Sequence, residues 1–245
     1  MIIDIITIFP KMFSPVIGES IIRRAQNKGL VKINIHNLRD YTNDPHKKVD
    51  APSYGSGGMV FKPEPIFNSV ESILGYKINP LGGNKKSTKK LKNKFDRIIL
   101  FTPQGTTLKQ KVIKKYLTYE RLVLIAPRYE GVDERVRKYL VDDEISIGDY
   151  VLSGGELAAM VFIDCLVRLI PGVVSDKESI KNESFENSCL DFSHYTRPAV
   201  FRGIKVPLVL LSGNHKEIAQ WRKRESLEIT KKKRPDLLIE NNNIA

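Results

Sequence analysis

The chain has 245 residues, with 40 Lys and Arg against 28 Asp and Glu, a net charge of +12. That length suits one large domain or two modest ones with a real core, and no apolar run approaches the roughly 20 residues that span a bilayer. The charge favours a polyanionic partner, nucleic acid ahead of membrane, although a lysine-rich chain also carries cations on faces that bind nothing. The N-terminus, Met1-Ile2-Ile3-Asp4, lacks a basic n-region, so no signal peptide is expected. Residues 2 to 8 are nearly all Ile and Thr and read as a buried strand of a parallel sheet, ended by Pro10. Met12 to Gln26 reads as a helix with Gly29 as its stop, and Val31, Ile33 and Ile35 alternate as a second strand. This β-α-β order implies a right-handed parallel unit.

Residues 39 to 63 break the regularity. Arg39, Asp40, His46, Lys47 and Lys48 are followed by Tyr54-Gly55-Ser56-Gly57-Gly58-Met59. Such a long loop suits phosphate or nucleotide contact, or is a plain surface excursion. Glu64 to Leu74 returns to helix and stops at Gly75, and residues 85 to 94, with six lysines, read as an exposed insertion. Phe95 to Phe101 is a strand ending in Thr102-Pro103-Gln104-Gly105, Leu108 to Tyr119 a helix, and Leu122 to Ile125 a strand followed by Pro127-Arg128-Tyr129-Glu130-Gly131.

The densest signal is Ile147-Gly148-Asp149-Tyr150-Val151-Leu152-Ser153-Gly154-Gly155-Glu156, between a strand at Glu144 to Ile147 and an apolar helix at Leu157 to Ile170. Ser153 and Glu156 fit a capping box. The stretch is neither a dinucleotide fingerprint nor a P-loop. On chemistry alone it is a small-molecule site or a bare strand-to-helix connection, with even weight. Strands end at Thr102, Ala126 and Gly148, and such ends wall ligand pockets in open α/β sheets.

Pro171-Gly172 marks a change of regime. Residues 173 to 192 read as a polar linker, and His194 to Pro198 as a donor-rich cluster. Asn214 with Glu217 caps a helix carrying Trp221, which reads as the anchor of a small helical domain. Cys165 and Cys189 form no metal-ligand spacing with the four histidines, so two thiols in a reducing cytosol and no metal site are expected.

Several motifs then converge: Ile8-Phe9-Pro10 with Met12-Phe13, Gly55 to Met59, Pro127 to Arg135, Ser146 to Glu156, Pro171-Gly172-Val173, His194 to Pro198, and Leu211 to His215. In this order, and over nearly the whole chain, they resemble the bacterial tRNA (guanine-N1)-methyltransferase (TrmD) family of the knotted SPOUT superfamily. The resemblance implies a cytoplasmic, homodimeric enzyme that uses S-adenosylmethionine to methylate N1 of guanosine 37, in tRNA with guanosine at positions 36 and 37. It implies an α/β parallel-sheet domain with a C-terminal trefoil knot, residues 1–172, then a flexible linker, 173–192, and an all-helical tRNA-binding domain, 193–245. A link to Mg²⁺ comes with the family, without a visible site.

Carried over by position, the donor lies against Leu100, Phe101, Pro103, Pro127, Tyr129, Ile147, Gly148, Asp149, Tyr150, Val151, Leu152, Gly154 and Gly155. Arg168 matches the catalytic arginine and Glu183 the general base. Asp50, Gly57, Gly58, Met59, Asp191, His194 and Arg197 match substrate contacts. The chain departs from the family with Glu183 for Asp, Pro127 for Gly, Ala158 for Pro, and a shorter loop at Tyr54 to Met59. Two other readings remain at this point: a non-catalytic RNA-binding protein with a vestigial knot, and a related methyltransferase acting on another base.

Overall fold

The computed structural model describes residues 1–78, 96–174 and 183–239; the lysine-rich stretch 85–94 lies outside them. The chain divides into two compact units, Met1–Ser175 and Asp176–Ala245.

Unit 1 is built on a five-stranded sheet of β1 (Ile2–Thr7), β2 (Lys32–Asn37), β5 (Asp96–Thr107), β6 (Arg121–Ile125) and β7 (Asp143–Ser146). Its order is β2-β1-β6-β5-β7, and every pairing is parallel. The β-branched runs of β1, β5 and β6 suit this arrangement because both faces of such a sheet are covered. Alternate residues feed opposite faces. Ile3, Ile5, Leu122 and Leu124 join one core, with Ile22, Phe162, Ile163 and Leu166. Ile6, Leu100, Val123 and Ile125 join the other, with Leu38, Ile66, Val70 and Val136. A short hairpin, β3 (Asp50–Pro52) with β4 (Met59–Phe61), stands apart from the main sheet.

The helices depart from the sequence reading in instructive ways. The span Met12 to Gln26 is two helices, α1 (Ser14–Ile17) and α2 (Ser20–Asn27), because α1 ends at Gly18 and Ser20 takes a positive φ of 51°. α3 (Pro63–Leu74) stops at Gly75 as expected. Leu108 to Tyr119 shrinks to α4 (Gln110–Lys114) and a 3-10 turn, Lys115–Thr118. α5 (Glu134–Tyr139) was not foreseen; the Asp133 carboxylate caps it by accepting from the Arg135 amide. The helix after the glycine stretch is α6 (Glu156–Val167), and the capping box does not form. Its N-cap is Gly155, with no side-chain cap, and Glu156 is turned inward instead.

Unit 2 holds α7 (Leu208–Leu211), α8 (His215–Lys233) and α9 (Asp236–Ile239), with Asn214 capping α8 as read from sequence. It is not all helical. β8 (Val200–Phe201) and β9 (Ile204–Lys205) form an antiparallel ribbon whose two-residue turn, Arg202-Gly203, has φ of 52° and 82°. Two positive-φ residues are what a tight hairpin turn of the right twist requires. Residues 183–192, read as linker, bond to α8: the Leu190 amide donates to Thr230 Oγ1 at 2.8 Å, and its carbonyl accepts from Ser226 Oγ.

Candidate functional site

The carboxyl ends of β5, β6 and β7 open into one cavity of about 300 Å³. β5 contributes through an irregularity in its carboxyl half. Phe101 and Thr106 both register with Ile145, so residues 102 to 105 leave the ladder and line the cavity with Thr102, Pro103 and Gln104. The turn after β6 adds Pro127 to Val132, and the chain after β7 adds Ile147, Gly148, Tyr150, Val151, Leu152, Gly154 and Gly155. Every residue carried over as a donor contact lines this cavity except Asp149, which is exposed beside it.

The cavity walls are tied to one another through backbone. The Gly155 amide donates to the Pro127 carbonyl at 2.7 Å, and Arg128 bridges Gly154. A Cβ on Gly155 would lie 2.7 Å from Pro127 Cδ and 2.9 Å from Ala126 Cα, so this approach demands glycine. Tyr150 closes its own loop, its hydroxyl donating to the Ile147 carbonyl at 3.1 Å. Tyr129 holds a positive φ of 59°, and its ring meets Phe61 edge-on at 5.9 Å. Positive φ at a non-glycine residue persists where neighbours over-determine it.

The glycine loop at 50–59 is bonded to this site's wall from behind the lining residues. Asp50 and Met59 sit on the β3–β4 hairpin, with Gly57 and Gly58 in its exposed turn. Phe61 bridges Val132, and its amide donates to the Gly131 carbonyl at 2.9 Å.

Arg168 is the C-cap of α6 in unit 1, and Glu183 lies in a turned segment of unit 2. Along α6, Leu157, Val161 and Asp164 are exposed while most other positions are buried, and Arg168 continues that stripe. In unit 2 the Asp191 carboxylate bonds His194 Nε2 at 2.9 Å, His194 lies against Phe192, and Arg222 covers the Phe192 ring at 4.9 Å. Trp221 is half-buried, meeting Phe192 and Tyr195 at 6.5 Å and 6.4 Å. Arg197 is exposed beside this cluster in sequence.

Sequence reasoning placed the Pro127 to Gly131 turn on the pocket wall without giving Arg128 or Glu130 a role of its own, and it missed Arg137; all three line the cavity. Arg137 is paired with Glu144, which holds its guanidinium firmly charged. The available signal for Arg128 and Glu130 was their place in the turn directly after a buried strand. Burial raises the Cys165 thiol above its ordinary value, which keeps it protonated and inert. Among the described residues no cluster of three or more His, Cys, Asp or Glu side chains could hold a metal ion, and no helix is long and apolar enough to cross a membrane.

A family model described as tRNA (Guanine-1)-methyltransferase TrmD matches residues 1–240. The chain belongs to the TrmD family. Proteins named tRNA (guanine-N(1)-)-methyltransferase match it along nearly their whole length. The one from Endomicrobium trichonymphae is 49% identical over 97% of this chain and 99% of its own. That of Dehalococcoides mccartyi is 48% identical over 97% and 90%, and that of Geobacter sulfurreducens 48% over 96% and 90%. Membership of the TrmD family makes the chain an enzyme, and sets aside the reading of a non-catalytic RNA-binding protein.

Proposed function

We propose that this TrmD-family chain transfers a methyl group from S-adenosylmethionine to N1 of guanosine 37 in tRNA carrying guanosine at positions 36 and 37. The observation that carries the reading is the single cavity at three adjacent strand ends, in a chain that matches the family from residue 1 to 240. The cavity fits the donor in kind. Leu100, Phe101, Ile145, Leu152 and Ala158 offer apolar walls to a flat heterocycle, and the glycine-rich turns bring backbone groups to the rim. When bound, the sulfonium supplies an already activated methyl group.

The chain's residues then have three tasks. The turns 127–131 and 147–155 hold the donor and exclude water. Glu183 takes the proton from N1 as general base. Losing that proton moves charge toward O6, where the Arg168 guanidinium stabilises it. Glu183 in place of Asp reaches about one bond further, and its short segment after residue 182 is the place to absorb that length. Pro127 lacks an amide, and its carbonyl is spent on Gly155. Asp50, Gly57, Gly58, Met59, Asp191, His194 and Arg197 are proposed tRNA contacts.

We also propose a knotted α/β domain, a tRNA-binding second unit, and a cytoplasmic homodimer. A helix with apolar residues on its outer as well as its inner face is expected to be covered there too. α6 leaves Leu157 at 48% and Val161 at 42% exposure, on the face that leads to Arg168. A second copy over that face would put the partner beside the reacting groups. The deciding experiment is transfer of a radiolabelled methyl group to tRNA transcripts. Label should enter the transcript with guanosine at 36 and 37 and fail to enter one with adenosine at 37. Equal labelling of both would favour a related enzyme acting on another base.

A further inference from the structure

Two of the turns on the cavity wall, those after β6 and β7, share a largely buried ion pair with the segment that follows β1. Glu156 opens α6 and is 1% exposed. Its Oε1 accepts from Thr7 Oγ1 at 2.9 Å, and its Oε2 from Arg128 Nε at 3.0 Å. Thr7 ends β1, is fully buried, and its Oγ1 also accepts from the Phe9 amide at 2.9 Å. The Arg128 guanidinium reaches both the turn after β7 and the segment after β1. It donates to Ser153 Oγ at 3.4 Å and to Met12 Sδ at 3.3 Å, and lies over the Phe9 ring at 4.6 Å. The same residue lines the cavity.

A buried ion pair is weak evidence for stability, because desolvation consumes much of the Coulombic gain. It is strong evidence for geometry, because each charge fixes where the other must be. Here the pair spans the turn after β6 and the turn after β7, directly behind the Gly155-to-Pro127 bond. We infer that Arg128, acting through Glu156, is a positioning residue: it sets the spacing between the 127–131 and 153–155 turns and thereby the donor affinity of the cavity. The inference rests on the reading of that cavity as the donor site.

The test is calorimetric titration of the full-length protein with S-adenosylhomocysteine. Four proteins are compared: wild type, Arg128→Lys, Arg128→Met, and the double variant Arg128→Met with Glu156→Gln. Each also has its Tm measured, together with the donor KM and kcat for methyl transfer. Arg128→Met leaves Glu156 buried without its cation, so both Tm and affinity fall. The double variant removes the stranded charge and recovers Tm, while affinity stays about tenfold or more below wild type. Arg128→Lys keeps the charge without the fork and falls between. The donor KM rises by a larger factor than kcat falls. Affinity that returns together with Tm in the double variant, or wild-type affinity in Arg128→Lys, overturns the inference. A wild type that binds no S-adenosylhomocysteine overturns the donor-site reading, and this inference with it.

Discussion

The Glu130 amide donates to the Met59 carbonyl at 3.0 Å, which stitches the glycine hairpin of residues 50–61 to the wall of the cavity. A loop that the sequence leaves open between a nucleotide contact and a surface excursion is thereby coupled to the cavity. Gly58 is the tightest point of that seam. It holds a φ of +93°, and an added Cβ would lie 2.6 Å from Glu130 Cγ. Gly58→Ala should strain this left-handed backbone and displace the flexible Glu130 side chain, at a stability cost of about 1–3 kcal/mol. Methyl transfer should fall far more than Tm. A variant with wild-type kcat/KM would uncouple the hairpin from the site.

Gly155→Ala meets a different obstacle. Its neighbours are the ring of Pro127 and the backbone of Ala126, which cannot swing aside. Overpacking of this kind costs about 1–3 kcal/mol, and relief requires the two turns to separate. Donor affinity measured by calorimetry and Tm measured by scanning should both drop. Retained affinity would show that the Gly155-to-Pro127 contact does not shape the cavity.

The two residues assigned to chemistry should respond differently from these. Glu183→Gln should nearly abolish single-turnover methylation while S-adenosylhomocysteine still binds, since the donor cavity lies in the other unit. Arg168→Ala should slow methyl transfer much more than it weakens donor binding. Full activity in Glu183→Gln would move the base to another acid, Asp191 first. A matching loss of donor affinity in Arg168→Ala would remove its charge-stabilising role.

What the sequence made legible follows from how local each signal is. The strand runs at residues 2–8 and 122–125 and the stop at Gly75 announce themselves through composition and a single φ requirement. The convergence of Thr102, Ala126 and Gly148 on one pocket follows from strand ends in a parallel sheet. The capping box failed because Glu156 found a better partner 149 residues away in Thr7. No spacing rule reaches that far. The register shift at Phe101 and Thr106 shows only once β7 is paired, although Pro103 and Gly105 mark its place in β5, where an added Cβ on Gly105 would meet the backbone of Glu144 and Ile145. The assignments of Arg168 and Glu183 came from family resemblance, because an arginine late in a helix and an acid in a polar segment carry no signature of their own.

Asp133 gives the clearest pH prediction. Its carboxyl is held below the ordinary value of 3.8, first by the side-chain bond from Arg135 and also by the Arg135 amide at the start of α5. A carboxylate depressed in the folded state stabilises above its unfolded pKa and loses that contribution as pH falls through its folded pKa. The loss therefore begins near 3.8 and continues downward. Asp133→Asn should flatten this acid limb of Tm against pH, and Asp133→Ala should cost about 1 kcal/mol at neutral pH through the lost cap. An unchanged acid limb in Asp133→Asn would show that Asp133 carries no part of it.

The dimer prediction rests on the exposed stripe of α6. Leu157 and Val161 lie one turn apart on a helix whose remaining face is buried in the sheet core. A glutamate at either position would place a charge in any interface that covers the stripe, at a cost of roughly several kcal/mol when desolvated. In an isolated chain the same change exposes a charge to water and costs almost nothing. Val161→Glu should therefore leave the far-ultraviolet spectrum intact, convert a dimer to a monomer in light scattering, and abolish methyl transfer because Arg168 stands on the same face. A Val161→Glu protein that remains dimeric would place the interface elsewhere, and an active monomer would show that one chain supplies the whole site.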